Sequence, residues 1–271
     1  KKYCKMTLYF ILEIFAMLKE KIERILPLVQ KPARYTGGEL NSVVKDKENV
    51  DIRFAFCFPD TYEIGMSHLG MKILYSLINS RENYWCERVF APDTDMEKIM
   101  RERDIPLFGL ESRDALTDFD AVGFTLQYEL SFTNVLNMLN LGKIPLRSKD
   151  RGDTLDLPIV VAGGPCVCNP EPLADFIDVF EIGEGEEMML EFLDLLNEYK
   201  KQGKSRKEFL IAASKIEGIY VPSLYEVSYK EDGTILEMSP KYEDVPAKVD
   251  KQIVMEMSEA PYPEKPVVPF I

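Results

Sequence analysis

Two stretches decide the fold: Val160-Val161-Ala162-Gly163-Gly164-Pro165 and Glu181-Ile182-Gly183-Glu184-Gly185-Glu186-Glu187. Each is an apolar run that empties into glycines, the pattern of a strand ending in a tight loop. In an open α/β sheet, ligands bind outside the carboxyl ends of strands, where glycines let a backbone come close. Two such ends, about 20 residues apart, predict neighbouring loops on one binding rim.

Working outward, the chain alternates in type. Val50–Phe58 reads as a strand, and Tyr62–Asn79 has helical spacing through Ile64, Leu69, Ile73, Leu74 and Leu77. Val89–Ala91 is a short strand before an acidic helix over 94–103, and Pro106–Leu110 is another strand. Ala121–Leu126 follows, then a helix over Glu129–Leu141. Strands at Pro158–Ala162 and Val179–Ile182 precede a helix over 185–200, with Met188, Met189, Phe192 and Leu196 on one face. This β-α-β-α order predicts a Rossmann-like α/β fold, with about six strands in a mainly parallel sheet and right-handed crossovers. Ahead of it, 17–26 is an amphipathic helix stopped by Pro27 and Pro32, followed by a polar loop with Arg34, Tyr35 and paired glycines. After Gly218, Leu224–Tyr229 and Thr234–Met238 flank Asp232-Gly233, a hairpin signal. The expected division is 1–46 for the N-terminal helix and loop, 47–217 for the α/β domain, and 218–271 for a β appendage and proline-rich linker.

Composition narrows the function. With 33 basic against 46 acidic residues the net charge is −13, which argues against a general grip on nucleic acid. Five cysteines, odd in number and irregularly spaced (Cys4, Cys57, Cys86, Cys166, Cys168), suit a reducing cytoplasm rather than a disulfide framework. Thr7–Leu18 is apolar but too short to span a bilayer, contains Glu13, and is followed by no small-residue cleavage site. No membrane partner is expected. Met17 would make a natural start, which leaves 1–16 as a non-native candidate. The proline-rich end at 261–271 reads as a linker cut before another element, so a fragment is expected.

The first strand runs into Pro59-Asp60-Thr61-Tyr62-Glu63-Ile64-Gly65-Met66-Ser67-His68-Leu69-Gly70. Asp60 is placed to cap a helix whose Gly65 and Gly70 allow close packing on the sheet. Tyr62 and Met66 could touch a flat ligand or simply join the core. His68, the lone histidine, reads first as a polar helix residue and second as a general base or metal ligand. Cys166-Val-Cys168 cannot complete an ordinary zinc site with one histidine in the chain and reads as two loop thiols. Glu184, Glu186 and Glu187 suit the first turn of a helix, where they complement its dipole, and Glu184 could also bond a ribose or amide at the rim. Arg34 and Tyr35 read as a solvated loop, with contact to a catalytic domain as the other reading.

Three loops then act together: Asp60-x-Tyr62-x-x-Gly65, Thr125-Leu126-Gln127 and Gly163-Gly164. Their order resembles the cobalamin-binding Rossmann-like domain, whose motifs Asp-x-His-x-x-Gly, Ser-x-Leu and Gly-Gly cradle a corrinoid and its nucleotide tail. Here Tyr62 occupies the place of the cobalt-ligating histidine, Thr125 that of the serine, and Gln127 that of the leucine. The resemblance therefore implies a corrinoid with no lower histidine ligand from this motif. Adding Gly163-Gly164-Pro165 and Gly183-Glu184-Gly185, the chain resembles the N-terminal half of cobalamin-domain radical S-adenosylmethionine (SAM) proteins. Lys31-Pro-Ala-Arg-Tyr-Thr-Gly-Gly-Glu39, Tyr62–Gly70 and Ile219-Tyr-Val-Pro-Ser-Leu-Tyr225 are similar to one uncharacterised bacterial family of that type, over roughly residues 20–271.

The resemblance implies cofactor contacts at Asp60, Tyr62, Gly65, Met66, Thr125, Leu126, Gln127, Gly163, Gly164, Pro165, Gly183, Glu184 and Gly185, with no catalytic residue and no metal ligand in this chain. Such proteins hold a [4Fe–4S] cluster on a Cys-x-x-x-Cys-x-x-Cys triplet, and this sequence has none. Cluster, SAM and catalysis would belong to a C-terminal radical SAM domain, fused or in trans, as this chain's partner. Two other classes stay open: a docking module that has lost its corrinoid, and a stand-alone nucleotide-binding α/β protein. The latter lacks both a P-loop and a Gly-x-Gly-x-x-Gly after the first strand.

Overall fold

The computed structural model describes residues 18–256, 258 and 260–269. The apolar stretch before Leu18, with Cys4, lies outside the described residues. Six strands form one sheet in the order β2-β1-β3-β4-β5-β6: β1 (Ile52–Phe58), β2 (Tyr84–Phe90), β3 (Ala121–Thr125), β4 (Ile159–Gly163), β5 (Val179–Glu181) and β6 (Ile219–Tyr220). The first five are mutually parallel; β6 closes the edge antiparallel to β5. The helices are α1 (within 18–25), α2 (Tyr62–Ser67), α3 (Leu69–Asn79), α4 (Thr94–Glu102), α5 (Phe132–Leu141), α6 (Gly185–Lys201) and α7 (Arg206–Ala213). The mainly parallel α/β sheet is therefore the one the sequence predicts.

Several predicted elements differ in detail. Pro106–Leu110 is no strand: Phe108 makes one isolated bridge to Ala115. Leu107 and Leu110 take their backbone bonds from separate partners instead, Leu141 and Arg88. The sixth strand is the two-residue β6, too short to show a period. The strand expected at 89–91 begins at Tyr84 and is buried along its whole length. Its Glu87 and Arg88 are polar, which hid it from a reading by apolar runs. The helix expected over Tyr62–Asn79 breaks at His68, whose extended backbone ends α2 and caps α3. Asp60 is not the N-cap of α2; Thr61 holds that position, and Asp60 Oδ1 accepts the Thr61 N–H at 2.7 Å. The short α7, opened by a Ser205/Glu208 capping box, escaped the sequence reading.

The hairpin forms as expected from β7 (Tyr225–Tyr229) and β8 (Ile235–Pro240), with Gly233 at positive φ in the turn. The N-terminal loop is not solvated. Tyr35 is buried with Ile22, Ile25 and Val29 in the same core as the sheet. Arg34 is clasped between Glu63 and Asp93. At the other end, Val267 is buried and its carbonyl accepts the Asn41 N–H at 3.2 Å, so this part of the proline-rich segment lies against the N-terminal loop.

Candidate functional site

The chain runs from β1 outward to β2, then returns to lay β3 on the other side of β1. Such a reversal opens a crevice at the carboxyl ends of the two strands, the favoured ligand site of open α/β sheets. A cleft of about 380 Å3 lies there, between one face of β1, β3, β4 and β5 and the helices α3 and α6. Register explains its floor. Phe56 pairs with Gly123, Gly123 with Val161, and Thr125 with Gly163, so these residues share a face. The Phe54 ring lies over Gly123, where a Cβ would collide with it. Ile73 and Leu74 from α3 and Met189 from α6 supply apolar walls.

The predicted site residues separate into two groups. Thr125, Gln127, Gly163, Gly164, Pro165, Gly183, Glu184 and Gly185 all line the cleft. The Gln127 amide donates to Thr125 Oγ1 at 2.5 Å. Leu126 is buried beside them and contributes backbone: its N–H donates to the Gly163 carbonyl at 2.7 Å, and its carbonyl accepts from Cys166 at 3.1 Å. The loops after β3 and β4 are thus stitched together.

Asp60, Tyr62, Gly65 and Met66 do not line it. The Asp60 Oδ2 accepts the Tyr128 hydroxyl at 2.7 Å on the rim. Tyr62 instead donates its hydroxyl to Glu39 at 2.7 Å and sets its ring edge-on to Phe90. Burial, with the Glu39 carboxylate beside it, pushes the Tyr62 hydroxyl up to about 12, so it is a neutral donor at ordinary pH. Gly65 exists for packing, since a Cβ would enter the Phe90 ring. Met66 places its sulfur 3.3 Å from Arg88 Nη1. These residues border a buried ion cluster in which Arg88 bonds Glu39 at 2.6 Å and Glu111 at 2.7 Å. Burial opposes the charge there, but the two carboxylates outweigh it and raise the guanidinium above its usual range. The paired glycines before Glu39 serve this clasp: Gly37 has φ +56°, and its Cβ would sit 2.7 Å from the Leu110 carbonyl oxygen.

The rim glycines have different causes. Gly183, at φ +129°, lies directly against the Gln252 backbone, where any Cβ would clash. The 252–254 segment runs beside this loop, with Glu184 N–H on the Gln252 carbonyl and Glu184 Oε2 taking the Val254 N–H. Gly164, at φ +101°, would bring a Cβ within 2.9 Å of the Leu126 carbonyl oxygen. A Cβ on Gly163 meets nothing closer than Glu181 Oε2 at 3.7 Å. Unlike Gly164 and Gly183, Gly163 is therefore a rim glycine that leaves space for something other than the chain itself.

Of the cleft residues outside the predicted set, His68 and Glu181 bear most directly on its chemistry. His68 lines the wall and accepts the Met71 N–H on Nδ1 at 3.2 Å. Glu181 is 5 % exposed, and its Oε1 has no hydrogen-bond partner among the described residues. Burial pushes its carboxyl up to about 8. The signal was present in the sequence: a carboxylate within the apolar run Val179-Phe180-Glu181-Ile182. Cys166 and Cys168 sit on the short helical turn Pro165–Cys168, and no three His, Cys, Asp or Glu side chains gather as a metal site among the described residues.

Residues 70–222, more than half of the chain, match the profile of a family described as radical SAM proteins, N-terminal. An uncharacterized protein of Methanocaldococcus jannaschii is 29 % identical over 173 residues, covering 63 % of this chain and 32 % of the relative. The chain thus spans about a third of the length of that relative. Among solved structures, the cobalamin-dependent SAM radical enzyme OxsB with aqua-cobalamin and SAM bound aligns with a TM-score of 0.39 at 13 % identity. That alignment covers 79 % of this chain and 24 % of OxsB. The same enzyme with aqua-cobalamin alone gives 0.37 at 14 % identity, covering 76 % and 27 %. No helix among the described residues is long and apolar enough to cross a membrane.

Proposed function

This chain belongs to the family of radical SAM protein N-terminal regions, and on that premise we propose that it is the corrinoid-holding accessory part of a cytoplasmic radical SAM enzyme. Catalysis, the [4Fe–4S] cluster and SAM belong, in this reading, to a radical SAM domain fused to it or docked in trans. The observation that carries the proposal is the cleft at the β1/β3 reversal, with a glycine floor, apolar walls and one polar group left without a partner. Its size suits a fused-ring base with part of a sugar, while a macrocycle would lie on the rim above.

Among this chain's residues, Gly163 leaves the floor open and Phe54 and Phe56 offer flat apolar contact. Thr125 and Gln127 present hydroxyl and amide groups at the mouth. Tyr62 bonds Glu39 and stays out of the cleft, so this tyrosine offers a corrinoid no phenolate ligand. When bound, a corrinoid supplies a cobalt centre able to carry a transferable group. No lysine or arginine among the described residues lines the cleft, which weighs against the reading as a nucleotide-phosphate site.

The test is retention of hydroxocobalamin after desalting, read by visible absorption. The chain should keep about one corrinoid, and Gly163→Leu, which fills the floor, should lose it while its circular dichroism stays native. A folded wild-type chain that retains none would favour the docking-module reading.

A further inference from the structure

The buried acidic side chains among the described residues include Glu87, Glu111, Asp114, Asp178 and Glu181. Arg53 pairs with Glu87 and Asp114, Arg88 with Glu111, and Arg151 and Arg206 with Asp178. Glu181 has no such partner. A buried polar group left unbonded is destabilising, and each one in a native fold calls for an explanation.

Its surroundings state what would satisfy it. Glu181 ends β5 on the cleft face, beside the open floor at Gly163. Of the ionisable groups around it, α3 contributes His68, and the start of α6 contributes Glu184 and Glu186. Glu184 is engaged by the Val254 N–H, and His68 Nδ1 by Met71. From β6, the Tyr220 hydroxyl is turned to Glu171. The facing parts of β1, β3 and β4 bring no ionisable side chain to the cleft. With no lysine or arginine among the described residues lining the cleft, burial favours the neutral acid, and a neutral carboxyl is an O–H donor. An anionic ligand group would find three carboxyls and no arginine or lysine. A flat apolar ring with an in-plane lone pair matches both the aromatic walls and the donor.

We propose that Glu181 is a specificity residue that donates its carboxyl O–H to a ring nitrogen of a flat nitrogen-heterocyclic base held in the cleft. The assignment deepens the corrinoid reading, since cobalamin carries such a base on its nucleotide tail, and rests on it for that identity alone.

The test titrates the chain with free 5,6-dimethylbenzimidazole and with hydroxocobalamin, using wild type, Glu181→Gln and Glu181→Leu, by calorimetry at pH 7, 8 and 9. Glutamine keeps a donor and leucine does not. Leucine is expected to weaken the free base about tenfold and glutamine less than about threefold. Wild-type binding should fall about tenfold by pH 9 as the proton leaves, while Glu181→Gln stays flat. Should the base bind in this pattern and hydroxocobalamin not bind, the corrinoid reading falls and the Glu181 assignment stands. Should both ligands bind wild type and leucine variant alike, the assignment is overturned and the cleft reading survives. Binding that strengthens with pH, with glutamine as harmful as leucine, would also overturn it, by showing a carboxylate facing a cation. So would a folded wild type that binds neither ligand.

Discussion

Glu181 ties the stability of the chain to pH in an unusual direction. An unfolded glutamate gives up its proton near 4.5, whereas this one keeps it to about 8. Between those values the folded state binds more protons than the unfolded state, so this group's contribution to stability declines as pH rises. The loss is complete above pH 8, with an upper bound of about 5 kcal/mol. Glu181→Gln removes the titration. Urea midpoints should therefore nearly coincide at pH 5 and favour the variant clearly at pH 8.5; a constant gap would refute this. Two neighbouring rim positions separate structure from function. Gly183→Ala, strained in φ and driven into the Gln252 backbone, should cost about 2–4 kcal/mol. Gly163→Ala, with 3.7 Å of clearance, should cost less than about 1 kcal/mol. Equal losses at the two sites, measured by chemical denaturation, would show that Gly163 is also held for packing.

At the level of elements, β2 and the N-terminal loop are joined by charge rather than by apolar packing alone. Arg88 lies buried between Glu39 and Glu111, and Tyr62 and Tyr75 bond the same two carboxylates. Removing one member of a buried ion cluster leaves its partners charged and unpaired, at a cost of about 3–5 kcal/mol. Arg88→Met is expected to lower stability by that amount at pH 7, read from the denaturation midpoint, and to loosen the loop around Glu39 toward proteolysis. An unchanged midpoint would mean the loop docks without it. This cluster also shows where sequence reading reached its limit. The strands β1, β3, β4 and β5 were legible as apolar runs ending in turns, and so was the rim they build. Strand β2 was half hidden because Glu87 and Arg88 break its apolar run, and only the three-dimensional pairing with Arg53, Glu39 and Glu111 makes them interior residues. Tyr62 sits where the resemblance put it in the chain, but the turn at Thr61 sends its hydroxyl to Glu39. Glu181 was visible as a letter, yet nothing in one sequence says that a charge in a strand lacks a partner.

Across the whole molecule, the reversal between β1 and β3 sets the cleft, α3 and α6 wall it, and the 252–254 segment braces its outer loop. The apolar residues of the hairpin, Tyr229, Ile235 and Leu236, stay exposed, as does Leu130 beyond the end of β3. The reading that joins these features is a support that seats the base of a corrinoid in the cleft and leaves its macrocycle on the rim, facing a radical SAM domain. Equilibrium dialysis of the chain against hydroxocobalamin and against cobinamide, which lacks the nucleotide tail, would decide it. Hydroxocobalamin should bind about tenfold or more tightly than cobinamide, because only it can fill the cleft. Equal affinity for the two, or none for either by a folded chain, would contradict the assignment of this cleft.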